Sequence, residues 1–286
     1  MSDRKKGNIF LLLSALIWGA ALIAQKEGMN YLGPFSFTAI RCLLGGISML
    51  PVVWYVNRDK KYEATEKETV KGAFICGVFL TGLIIFQQMG LPHTSIGKAA
   101  FITAMYIPIT PLLQRITGKK VGKNMWAGVA VAIFGMYLLT MTKGFSSLNF
   151  GDMCMLGAAV TCSFQILAVD KCVKRMEPVK LSCYQFIAAG LICIPFAVMF
   201  ETVTWQAISD CAVPILYAGL ASCGIGYTFQ VVGQKYTPPA QAAILLSTET
   251  VFSLVAGMIF YHEVMLPVEY IGCAVMFIAI MVSQKE

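Results

Sequence analysis

Polar residues do not alternate with apolar ones along this chain; they interrupt long apolar runs. A helix rising 1.5 Å per residue needs about 20 apolar residues to cross roughly 30 Å of hydrocarbon. Ten stretches meet that requirement, near 8–25, 34–55, 70–91, 95–115, 124–141, 151–170, 180–200, 212–234, 238–261 and 266–284. The pattern therefore predicts an all-α membrane protein with ten transmembrane helices. The connectors are short, the longest running from Asn57 to Lys71, so no soluble domain is inserted. The basic start and apolar run of Met1 to Ala24 could be read as a cleaved signal peptide. Nine further spans favour an uncleaved first span.

Composition agrees with the pattern. Apolar residues make up 57% of the 286 positions, mean hydropathy is +0.71 and only 13% of residues are charged. That charged share is about half of what a soluble domain carries, which argues against an ordinary soluble enzyme or a disordered chain. A net charge of +7 hints at nucleic acid until the basic residues are placed. They sit between apolar runs rather than along one face, so no nucleic-acid partner is expected. With a cytoplasmic N-terminus, the inside segments hold Arg4, Lys5 and Lys6; Arg58 to Lys71; Arg115 to Lys123; Lys171 to Lys180; Lys235; and Lys285. The outside segments hold only Lys26 and Lys143. This positive-inside bias predicts both termini in the cytoplasm. The ten cysteines form no Cys-x-x-Cys pair and lie mostly in apolar runs, which reads as packing rather than a disulfide framework or a metal site.

The chain also repeats. An offset of 144 aligns Pro34 with Pro178, Gly46 with Gly190 and Pro51 with Pro195. An offset of 143 aligns Phe86-Gln87 with Phe229-Gln230, Gly90 with Gly233 and Thr94 with Thr237. The expected units are 1–143 and 144–286, five spans each. Five is odd, so the second unit enters the membrane from the opposite side and the repeat is inverted. Inverted halves can exchange conformations around a site near the midplane, the arrangement secondary transporters use.

With these residues assembled, the chain resembles the drug/metabolite transporter superfamily, EamA type. Trp18-Gly19 in the first span, the stretch Ala242 to Glu263 (AAILLSTETVFSLVAGMIFYHE) and Gly272 in the last span carry the resemblance. Two points depart from the family pattern: Thr250 rather than Pro follows Glu249, and Arg115-Ile116-Thr117-Gly118 follows the fourth span. The resemblance implies that spans 1–4 and 6–9 surround a central cavity, with spans 5 and 10 at the periphery.

Charges inside a span are costly and face protein or a wet cavity. Arg41, two turns into span 2, shares a helical face with Thr38, Gly45 and Ser48. It is a substrate anchor for a carboxylate or phosphate, or the partner of a buried acid. Lys98 lies near the outer end of span 4, where snorkelling is easy, and its repeat mate is Gln241. Glu249, near the middle of span 9 with Ser253 and Gly257 on its face, is the candidate proton-coupling group. Gln87 and Gln230 are repeat mates; with Gln88, Gln165 and Gln185 they either bind substrate or join helices. Trp18, Tyr106 and Tyr184 are candidate cavity aromatics, with core packing the alternative. Pro108 and Pro111 bend span 4; their repeat positions are Val251 and Leu254, so a kink specific to the first half is expected. His93 and His262 form no catalytic or metal constellation, and no phosphate-binding loop is visible.

The expected function is secondary transport, with export as its direction, of small metabolites such as amino acids or related anionic or zwitterionic compounds. It requires no cofactor. Its partners are the substrate, the lipid bilayer and, as candidates, protons and a second copy of the chain. The location expected is the plasma membrane of a bacterium. An intramembrane enzyme would need a nucleophile–base pair or metal cluster, and none is apparent. A non-transporting scaffold or sensor is the remaining alternative.

Overall fold

The computed structural model describes residues 3–57, 62–94, 96–140, 149–253, 255 and 266–283. Lys143, Gly257, His262, Lys285 and residues 254 and 256–261 of the expected ninth span lie outside these. The described secondary structure is entirely helical. In chain order it comprises α1 (Asp3–Gly28), α2 (Pro34–Ser48), α3 (Leu50–Asn57), α4 (Glu66–Gly90), a 3-10 turn (Leu91–His93), α5 (Ile96–Thr103) and α6 (Tyr106–Ile116). There follow α7 (Lys123–Thr140), α8 (Phe150–Val173), α9 (Pro178–Phe200), α10 (Trp205–Asp210) and α11 (Ala212–Leu216). A π-helical stretch (Tyr217–Gly226) leads into α12 (Tyr227–Gln234); α13 (Pro239–Leu246), a helical turn over 249–253 and α14 (Pro267–Ser283) complete the order.

Among the described residues, six segments are long and apolar enough to cross a membrane: Asp3–Gly28, Pro34–Val56, Glu66–His93, Phe150–Val173, Pro178–Phe200 and Ala212–Gln234. Large apolar side chains such as Trp54, Val198 and Phe200 are exposed on their surface, as a lipid-facing shell requires. The interior is held by small residues and hydrogen bonds instead, because lipid removes the hydrophobic drive for helices to associate.

Local chemistry explains where the helices begin. Pro34 and Pro178 stand in the first turns of α2 and α9, where a missing N–H costs nothing. Thr65 with Glu68 and Asn149 with Asp152 form capping boxes that start α4 and α8. Glu201, just beyond α9, accepts hydrogen bonds from Phe35 N (2.9 Å), Ser36 N (2.8 Å) and the Ser36 hydroxyl, closing the open N-terminus of α2.

Helix contacts occur in reciprocal pairs. A Cβ on Gly46 of α2 would meet Cys183 O of α9 at 3.1 Å; one on its mate Gly190 would meet Ala39 O of α2 at 3.2 Å. A Cβ on Gly7 of α1 would lie 2.9 Å from Gly233 O of α12, and one on Gly151 of α8 would lie 2.8 Å from Gly90 O at the end of α4. Thr237 Oγ1 bonds Asn8 Oδ1 at 3.3 Å, and Thr94 Oγ1 bonds Asp152 Oδ1 at 2.9 Å. In each case the second set is the first displaced by 143 or 144 residues. The α7 and α14 helices pack along each other beside this bundle.

Spans 4 and 9 are interrupted at equivalent positions. Turns at Ala104-Met105 and Ser247-Thr248 separate α5 from α6 and α13 from the turn at 249–253. A break peculiar to the first half, expected from Pro108 and Pro111, is therefore not what occurs. In the second half the Ser247 and Thr248 hydroxyls donate to Ile244 O (2.8 Å) and Leu245 O (2.6 Å), occupying carbonyls three residues back without any proline.

Candidate functional site

The two breaks face a central cavity, and Tyr106 and Glu249 are the first helical residues after them. The empty space, including its open end, is about 620 Å³. Trp18, Leu22 and Gln25 of α1 line it, with Arg41 of α2, and Leu83, Ile84 and Gln87 of α4. Thr103 and Tyr106 add the span 4 break, Cys162 and Gln165 the middle of α8. Ser222 and Cys223 come from the π-helical stretch, Tyr227 and Gln230 from α12, and Leu246 and Glu249 from the span 9 break. Neither α7 nor α14 contributes, in keeping with the peripheral role expected for spans 5 and 10. None of the lining residues belongs to α9, although it was expected at the wall.

Five pairs of repeat mates line the cavity. Trp18 corresponds to Cys162, Ile84 to Tyr227, Gln87 to Gln230, Thr103 to Leu246 and Tyr106 to Glu249. Arg41 corresponds to Gln185, which sits one layer behind the wall. Each ionisable group thus faces a neutral counterpart: Gln185 where Arg41 stands, Tyr106 where Glu249 stands. A duplicated, purely structural core has no need of that asymmetry. The cavity's two charges are what distinguishes one half from the other.

Arg41 is 2% exposed, and its guanidinium lies 5.2 Å from the Phe37 ring centroid. Its Nε has no hydrogen-bond partner, and among the described residues no carboxylate pairs with it. Truly burying an unpaired cation costs several kcal/mol, so this arrangement suits a site that a ligand anion completes. Glu249 is half-buried on the cavity wall and has no ion pair among the described residues. Trp18 leaves its indole Nε1 unpaired, and its ring centroid lies 4.2 Å from that of Tyr227, which in turn meets Phe186 edge-on at 5.0 Å. Trp18 and Tyr227 thus form an aromatic patch on the wall, and Phe186 backs it from α9.

Seven of the eleven residues singled out from the sequence therefore meet in one cavity: Trp18, Arg41, Gln87, Tyr106, Gln165, Gln230 and Glu249. Tyr184 does not line it. Its hydroxyl donates to Glu66 Oε1 at 3.1 Å, and the Lys180 ammonium, bonded to the same carboxylate, lies 5.6 Å from its ring centroid. Tyr184 sits less than two turns from the start of α9, too close to the helix end to reach the cavity. Lys98 is on α5; its side chain lies outside those described. Gln88 is fully buried with its amide unpaired and does not line the cavity. Gln25 and Tyr227 were missed. A glutamine three residues from the end of an apolar run reads as interfacial, and a tyrosine among small residues reads as packing.

The profile of the EamA-like transporter family matches residues 5–141 and again 149–284. An uncharacterized transporter of Archaeoglobus fulgidus is 27% identical over 98% of this chain and 86% of its own. A probable terminal-alkyne amino-acid exporter of Streptantibioticus cattleyicolor is 21% identical over 96% of this chain and 92% of its own. A probable amino-acid metabolite efflux pump of Escherichia coli is 28% identical over 55% of this chain and 49% of its own. A crystal structure superposes with a TM-score of 0.79 at 16% identity, covering 98% of this chain and 96% of that one, and so shares the fold. With a helical bundle of membrane-spanning length, a polar cavity at two broken helices and the family profile matched twice along its length, the chain belongs to the EamA-like transporter family.

Proposed function

We propose that this protein is a secondary transporter, working as an exporter, that moves amino acids or related anionic or zwitterionic metabolites by alternating access. The single observation that carries the reading is Arg41, a buried cation that lines the cavity with no carboxylate paired to it among the described residues. A guanidinium in that state is a receptor for a carboxylate. The relatives named as an amino-acid exporter and an amino-acid metabolite efflux pump are consistent with that chemistry. A scaffold would gain nothing by keeping Arg41 and Glu249 unpaired at a cavity wall, and the reading is of a non-enzymatic protein.

The architecture proposed is ten spans in two inverted repeats, 1–143 and 144–286, with both termini cytoplasmic in a bacterial inner membrane. The reciprocal Gly46/Gly190 and Gly7/Gly151 contacts support the inversion, and the positive-inside bias supports the orientation. The contacts also favour moving units that mix the repeats: α1 and α2 with the π-helical stretch and α12, against α4, α5 and α6 with α8, with α9 packed on both α2 and α4. Rocking of these two units about the α2–α9 contact would open the cavity to one side and then the other. Glu249 on the wall would carry the coupling proton. The substrate reading is tested by thermal-shift binding of the twenty common L-amino acids. Arg41→Ala is expected to remain folded and lose the response; an unchanged affinity in that variant rejects the reading.

A further inference from the structure

Three sulfur atoms gather where the first part of α4 packs against the end of α8, and none of the three residues lines the cavity. Cys76 Sγ of α4 and Cys172 Sγ of α8 stand 3.9 Å apart. Met176, in the turn after α8, joins them at a gap left by Gly72. A Cβ on Gly72 would lie 2.9 Å from Met176 Sδ and 3.1 Å from Cys172 Sγ, so both sulfurs border the same missing side chain. Cys76 is one turn further along α4. A helical side chain leans toward the N-terminus of its helix, so the Cys76 sulfur points back over Gly72. Cys76 is fully buried, whereas Cys172 and Met176 are half-buried, which leaves the group an approach from outside the fold.

Packing alone does not require sulfur here. The offset of 144 that joins Pro34 to Pro178 puts Gly28 and Leu32 at the places of Cys172 and Met176. Cys76 falls opposite Gly219 or Leu220. The equivalent positions in the other repeat thus carry no sulfur. The chemistry of the trio is also narrow. Thiolates and thioethers are soft donors that favour Cu(I) over hard cations. With metal–sulfur bonds of about 2.3 Å, two donors of a trigonal ion lie about 4 Å apart, which is the separation Cys76 and Cys172 already have. A structural zinc site needs a fuller donor set. Among the described residues no group of three or more His, Cys, Asp or Glu stands close enough to hold a metal ion. Met176 has the rotatable side chain needed to swing its thioether onto an ion held by the two cysteines.

We propose that Cys76, Cys172 and Met176 form a binding site for one soft monovalent metal ion, Cu(I). The site is separate from the cavity and independent of the substrate reading. On binding, the two thiols give their protons to water, the ion stays Cu(I), and the complex carries a single net negative charge. Lys171, beside Cys172 in the chain, and Lys174-Arg175 in the following turn offset that charge. The bound ion ties α4 to α8 inside one proposed moving unit, so it stabilises the fold by mass action without blocking transport. Spacing along the chain conceals the site, because the two cysteines are 96 residues apart.

The test is an anaerobic titration of the full-length protein in detergent with Cu(I), in competition with the chromogenic chelator bathocuproine disulfonate. A variant keeping only Cys76 and Cys172 as its cysteines should take up one Cu(I) per chain. Replacing either of them with Ala should abolish that uptake. Even outer-shell partners are worth about tenfold or more in metal affinity, so Met176→Leu should weaken binding by at least about tenfold. If the two-cysteine variant does not fold, the wild type is compared with its Cys76→Ala/Cys172→Ala variant, which should bind one Cu(I) fewer. No uptake by the folded two-cysteine variant overturns the site, as does uptake that survives loss of either cysteine or equal stoichiometry in the second comparison. Unchanged affinity in Met176→Leu overturns the three-donor site. Zn(II) held as tightly as Cu(I) overturns the assignment to a soft monovalent ion.

Discussion

Arg41 and Glu249 pose the same question at the scale of a residue: why keep at a buried cavity wall an ionisable group that has no ion pair among the described residues. If ligand binding is the reason, removing the charge should help the fold while it destroys function. Arg41→Met is expected to abolish amino-acid binding yet raise the apparent melting temperature by roughly 2 °C or more. A fall of that size would mean that Arg41 holds the helices together. For Glu249 the prediction concerns coupling. Glu249→Gln keeps the shape and hydrogen-bonding reach of the side chain but cannot exchange a proton. It should eliminate uptake driven by a pH gradient and spare substrate exchange; a pH dependence like the wild type's removes Glu249 from the coupling step.

At the scale of the element, the helices are joined where side chains are small and ends are closed by partners from the other repeat. Gly46→Val would force a branched side chain against Cys183 O and Ile187, where even a Cβ would lie 2.8 Å from Ile187 Cγ1. Overpacking of this kind costs about 1–3 kcal/mol, and Gly190→Val should cost a similar amount at the reciprocal contact. Glu201→Ala strips three hydrogen bonds from the start of α2 and leaves Phe35 N and Ser36 N without acceptors. A loss of about 1–3 kcal/mol is expected. Both effects are read as melting shifts in detergent. Unshifted melting would show that α2 and α9 are not pinned together as described. The breaks at Ala104-Met105 and Ser247-Thr248 belong to this scale as well. They were not legible in hydropathy, because a turn in the middle of a span changes no residue from apolar to polar. Ser247-Thr248 was the available signal, and its hydroxyl competition for backbone carbonyls acts without leaving a gap in the apolar run.

At the scale of the molecule, the legible part of the fold is what repeats. Pro34 and Pro178 perform the same first-turn role, and Gly46 and Gly190 the same close approach, so their spacing carried structural information before any coordinates. The charges inside the apolar runs pointed to the cavity, because Arg41 and Glu249 have few places to go in a lipid-facing bundle. The hydrogen bonds that join Gln230 to Gln165 and Gln165 to Gln185 were harder to read. Their members lie in α8, α9 and α12, and only packing of the three helices brings them together. Tyr184 was misplaced because it lies near a helix end where an ion-paired Glu66 reaches it.

The mixed grouping of helices makes a prediction of its own. Cys76 of α4 and Cys172 of α8 stand 3.9 Å apart, sulfur to sulfur, across the repeat boundary but within one proposed moving unit. In a variant keeping only these two cysteines, oxidation by copper phenanthroline should cross-link them and leave transport intact. Transport blocked by the cross-link and restored by a reductant would contradict the grouping. The most direct test of transport itself is counterflow in proteoliposomes loaded with an unlabelled amino acid that binds the wild type. The wild type should accumulate the radiolabelled compound transiently above equilibrium, and Arg41→Ala, folded and reconstituted equally, should not. No accumulation by the wild type, or equal accumulation by both, would contradict an Arg41-anchored transporter.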